Sequence, residues 1–96
     1  MIVLFTFSSA KIYHDVGLLY ISEKHYQSAA ECCEQALRCL EQSSKPDRSL
    51  EATVLQNLGA VCNHLKIYDR AAYFHKMSAD LYGKWCATFT LLPHLI

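Results

Sequence analysis

Five cysteines (Cys32, Cys33, Cys39, Cys62 and Cys86) and five histidines carry the most reactive side chains of this 96-residue chain. Converging thiolates and imidazoles bind zinc, and a Cys–His pair can supply a nucleophile and its base. The spacing favours neither. Cys32, Cys33, Cys39, Cys62, His25, His64 and His75 form no CxxC or close i,i+4 set. Adjacent Cys32 and Cys33 point to different parts of one helix. No glycine-rich loop, nucleophile motif or acidic partner accompanies them. The odd set reads as reduced, small apolar residues of an intracellular, cytoplasmic protein rather than a disulfide framework. A non-enzyme with no catalytic residue, cofactor or metal is the expectation.

Composition narrows the partner class. Hydrophobic residues make up 52% of the chain, enough for a folded core in one small domain or a piece of a larger one. Nine basic and nine acidic residues are scattered and cancel. That balance recommends neither nucleic acid nor an acidic membrane. The apolar opening, residues 1–7, lacks a basic n-region and is too short to span a bilayer.

Periodicity sets out the elements that position everything else. Ser8 or Ser9 is expected to cap a first helix ending near Ser22, with Ile12, Tyr13, Val16, Leu19 and Tyr20 as its apolar stripe. A second helix, about Tyr26 to Gln42, repeats Tyr26, Ala29, Ala30, Cys33, Leu37 and Leu40, with Glu34 and Arg38 paired on its outer side. Pro46 breaks the pattern. Asp47 or Ser49 then caps a third helix reaching about Leu65, with Val54, Leu55, Leu58, Val61 and Cys62 on one side. A fourth runs from about Tyr68 to Gly83 or a little beyond, with Gly83 a candidate stop.

The two halves share one constant. Gly59 minus Gly17, Lys66 minus Lys24, Tyr68 minus Tyr26, Ala71 minus Ala29 and Ala72 minus Ala30 all equal 42. An internal repeat follows. Residues 1–9 and the uncharged tail 87–96 fall outside it, leaving units at about 10–48 and 49–86. Mid-helix glycine costs about 1 kcal/mol relative to alanine, so Gly17 and Gly59 suggest close helix packing. Ala29, Ala30, Ala71 and Ala72 offer small partner surfaces, and Tyr26 and Tyr68 are expected to plug the turn ends.

This arrangement resembles the tetratricopeptide repeat. Tyr13, Val16, Gly17, Tyr20, Ala29 and Ala36 match in the first unit, and Leu55, Leu58, Gly59, Ala71 and Ser78 in the second. Cys33, Cys62 and His75 replace bulkier residues. The 42-residue spacing looks like the lengthened repeats of kinesin light chains, LGN-type adaptors and some adaptors that join SH3 domains to such repeats. The resemblance implies an all-α stack of two helical hairpins, acting as a scaffold or adaptor for another protein.

In that family the first helices line a peptide groove. By repeat position the groove would offer Lys11, His14, Asp15, Leu18, Ile21 and Ser22, then Thr53, Gln56, Asn57, Ala60, Asn63 and His64. Gln56, Asn57 and Asn63 could pair with a peptide backbone, which needs donors and acceptors without charge. Asn57, directly before Leu58-Gly59, is the leading candidate. His14 and Leu18 stand where a carboxylate clamp would carry lysine and asparagine, which argues against a chaperone tail as ligand.

The fourth helix carries a further apolar row, Tyr73, Phe74, Met77 and Leu81, whose first-unit counterparts are Glu31, Cys32, Gln35 and Cys39. This row is expected to be an uncovered face. Either the tail folds back over it, or it awaits another repeat of a longer array. The alternative function is accordingly a structural fragment that self-associates through this face and binds no peptide.

Overall fold

The computed structural model describes the backbone of residues 7–95 and the side-chain surroundings of residues 9–83. Four helices follow in order: α1 (Phe7–Ser22), α2 (Tyr26–Gln42), α3 (Arg48–His64) and α4 (Tyr68–Leu95). No strand occurs among the described residues. α1 lies along α2 and α3 along α4, and α2 packs on α3 to join the two hairpins. The chain is all-α.

Local chemistry explains most of the boundaries. Asp47 caps α3, its side-chain oxygen accepting from the Leu50 N–H at 3.0 Å. The start of α1 departs from expectation, because Ser8 and Ser9 lie inside the helix rather than capping it. Ala10 is fully buried beside Cys39 and Leu40. Packing against the end of α2 therefore fixes the first turn of α1.

Both hairpin turns have one geometry. Lys24 and Lys66 adopt left-handed backbone, with φ of 64° and 65°. In the first turn the His25 N–H donates to the Tyr20 carbonyl and the Lys24 N–H to that of Ile21, both at 2.9 Å. In the second, Ile67 donates to Cys62 at 2.8 Å and Lys66 to Asn63 at 3.0 Å. These are the paired bonds of a Schellman helix end. The shared lysine offset thus marks a shared turn, at a left-handed conformation that costs a non-glycine residue about 1 to 2 kcal/mol.

The core is centred where the hairpins meet. Ala29, Ala30, Cys33 and Ala36 of α2 join Val54, Leu55, Leu58, Val61 and Cys62 of α3, with Ala71 and Phe74 from α4. Tyr20 and Tyr26 pack at its edge. Ser78 is tied into the second hairpin by a buried 2.8 Å bond from its hydroxyl to the Ala52 carbonyl. A methyl on Gly59 would lie 2.8 Å from the His75 ring, so the glycine is what lets that ring lie against α3. At Gly17 the nearest atom, Cys32 Cβ, would be 3.4 Å away, an ordinary contact.

Repeat-equivalent residues differ in burial. The Tyr26 ring stacks on His64 with centroids 4.3 Å apart, whereas Tyr68 is 61% exposed and plugs nothing. Ala30 is buried but Ala72 is exposed. The reason is placement: Tyr26 and Ala30 lie between the hairpins, while Tyr68 and Ala72 lie on the outer side of the second.

The apolar row on α4 also requires correction. Arg70 reaches across to Glu34 at 3.4 Å and lies 5.4 Å from the centroid of the Phe74 ring. Glu34 therefore pairs between hairpins instead of with Arg38. This side of α4 faces α2 inside the stack. Phe74 is only 8% exposed, and Met77 and Leu81 are partly buried against the core, so Tyr73 alone of the four is exposed. First-hairpin counterparts Glu31 and Gln35 are exposed and polar. Gly83 does not stop α4, since it lacks positive φ and the helix runs on to Leu95. Residues 87–95 therefore extend α4 and do not fold back over its flank; their side chains, and residues 1–6, lie outside the described set.

Candidate functional site

Where α1 passes the first turn of α3, a surface cavity of about 350 Å³ is lined by Lys11, His14, Asp47, Ser49, Leu50 and Thr53. Lys11 and His14 sit three residues apart on one face of α1. The break at Pro46 and the Asp47 cap bring the start of α3 opposite them. Thr53 Oγ1 donates to the Ser49 carbonyl at 3.0 Å, and Lys11 Nζ pairs with Asp15 at 2.9 Å on the exposed side.

His14 is the unusual member. It is 7% exposed, and its Nδ1 is buried without a hydrogen-bond partner. Burial pushes its pKa below the ordinary histidine value, Asp15 pulls it back up and Lys11 lowers it further. The ring is therefore neutral at neutral pH, with one nitrogen donating and the other accepting. Leaving a buried nitrogen unpaired costs about 1 to 3 kcal/mol of desolvation.

The thiols behave differently. Cys32, Cys33, Cys39 and Cys62 are free. Burial, reinforced by neighbouring thiols and Glu34, pushes the Cys33 pKa up to about 11. Burial also raises Cys62, against the pull of Arg70, and raises Cys32 with help from Glu31. These protonated sulfurs act as packing atoms. Among the described residues no three His, Cys, Asp or Glu side chains converge as a metal site, and no helix is long and apolar enough to cross a membrane.

The expected groove residues separate. Lys11, His14 and Thr53 share the cavity, while Gln56 lines another of about 180 Å³ with His75, Ser78, Ala79 and Tyr82. Leu18 and Asn63 are exposed, and Asn57 is half-buried. His14 is far more buried than a solvated groove position. Asp47, Ser49 and Leu50 were not among the expected groove residues. The Pro46–Asp47 helix start was the available signal, but the packing of α3's first turn against α1 depends on how the hairpins are set against each other.

The Tetratricopeptide repeat family model matches residues 8–84, which takes in both hairpins and both turns. No solved structure matches the chain. Repeats of this family are non-catalytic and generally serve as protein–protein interaction modules. Since one match spans the pair of hairpins that the repeated lysine turns and the α2–α3 core define, the chain belongs to the tetratricopeptide repeat family.

Proposed function

We propose that this chain is a scaffold or adaptor module that captures a segment of another protein in the groove between α1 and α3. The observation that carries this reading is the cavity of about 350 Å³ between the two helices, where Lys11, His14 and Thr53 come together. Asp47 and Thr53 add polar atoms beside the Leu50 side chain, the mixture of apolar wall and few polar groups that a peptide side chain needs. Leu18, Asn57 and Asn63 extend the binding face along the two helices. The free thiols fit a reducing compartment such as the cytoplasm, and the 42-residue spacing fits the lengthened-repeat adaptors.

Selection of binding peptides from a displayed random library, followed by fluorescence anisotropy, tests this reading. Thr53→Arg, which fills the cavity from its rim, is expected to weaken selected peptides by about tenfold or more, equivalent to about 1.4 kcal/mol. Helical circular dichroism should not change. Equal affinity in the folded variant would remove the cavity from the binding site.

A further inference from the structure

The 42-residue repeat allows the two ends of the stack to be compared with its middle. On α3, Val54, Leu55, Leu58 and Val61 are each no more than 1% exposed, packed in the core that α2 shares. Their counterparts on α1 are Ile12, Tyr13, Val16 and Leu19, and these are open, with Ile12 at 59% and Leu19 at 64%. On α2, Tyr26 and Ala30 are covered; their α4 counterparts Tyr68 and Ala72 are exposed. One end of the molecule therefore presents the α3 half of the internal interface, and the other end presents the α2 half.

We propose that the chain assembles head to tail with a second copy of itself, the open α1 face of one molecule seating on the open α4 face of the next. The contact continues the interface that α2 and α3 already form. Space for it exists on both sides. Ile12 and Tyr13 border a cavity of about 380 Å³ at the α1 end. At the α4 end, His75, Ala79 and Tyr82 line one of about 180 Å³. Their α2 counterparts, Cys33, Leu37 and Leu40, are buried or partly buried within the stack.

Charge does not oppose the contact. The internal pair Glu34–Arg70 maps onto Lys76 of one copy and Ser28 of the next, and the stacked Tyr26–His64 pair onto Tyr68 and Ser22. No like charges meet at either place. Because the two faces differ, the contact is heterologous and leaves a free face at each end of a dimer, so growth continues with concentration. The groove between α1 and α3 is a separate surface.

Sedimentation equilibrium of the full chain over a concentration series tests this assembly. The wild-type mass is expected to climb past that of a dimer. Ile12→Glu blocks one face and Ala72→Glu the other, so each variant alone should remain monomeric. Mixed in equal amounts, the two should form a dimer and stop, since each supplies the face the other lacks. Leu19→Glu and Tyr68→Lys replace them if circular dichroism shows either variant unfolded. A wild type that stays monomeric, a single variant that dimerises alone or a mixture that stays monomeric would each overturn the proposal.

Discussion

Gly17 and Gly59 occupy the same repeat position yet meet different neighbours. At Gly17 an added methyl makes only ordinary contact with Cys32, so Gly17→Ala is expected to stabilise by about 0.5 to 1 kcal/mol through lower backbone entropy in the unfolded chain. At Gly59 the same methyl displaces the His75 ring, and Gly59→Ala should lower the urea midpoint instead. Equal shifts in both variants would contradict the packing described. His14 predicts a pH effect. Its folded pKa lies below the ordinary 6.5, so the unfolded chain binds more protons in the window between those values. Stability from this group is full above pH 6.5 and falls as pH drops through that window. Comparing urea midpoints at neutral and mildly acidic pH should show a smaller acid loss for His14→Leu than for wild type. At this scale the sequence revealed which residues repeat. It did not reveal that His14 is buried or that Gly59 lies against a ring, because both depend on the neighbouring helix.

Helices and turns were the most legible level. Periodicity and the Pro46 break located α2 and α3 nearly to the residue, and Asp47 caps as its side-chain chemistry dictates. Asp47→Ala should cost about 1 kcal/mol of stability by leaving the Leu50 amide without its partner. The two lysine turns make a sharper test, since Lys24 and Lys66 hold left-handed backbone without being glycine. Lys66→Gly is expected to raise the melting temperature, relieving up to about 1 kcal/mol, while the β-branched Lys66→Val should lower it. Identical melting of both variants would exclude the Schellman geometry. Helix ends without such chemistry were misread. Ser8 and Ser9 are good caps by type, but both lie inside α1, which begins at Phe7. Gly83 is a permissible stop, but with no left-handed turn there α4 continues.

The whole molecule is a stack whose interior lies between the hairpins, and that explains the largest misreading. Phe74, Met77 and Leu81 form a helical row that sequence alone can place on either side of α4. Arg70 reaching Glu34 turns the row inward, against the first hairpin. Phe74→Ala should therefore cost about 3 to 5 kcal/mol, as for a buried aromatic, whereas Tyr73→Ala should cost far less. The repeat offset was sufficient for the all-α hairpin pair, but not for the side on which each hairpin meets its neighbour. Nor did it place Asp47, Ser49 and Leu50 beside Lys11 and His14. The binding role of that cavity is tested most directly by NMR chemical-shift mapping of the chain titrated with a selected peptide. The largest amide shifts are expected at Lys11, His14, Asp47 to Leu50 and Thr53, with Tyr68 and Ala72 unmoved. Saturable shifts confined to the outer side of α4, with none around His14, would contradict the account.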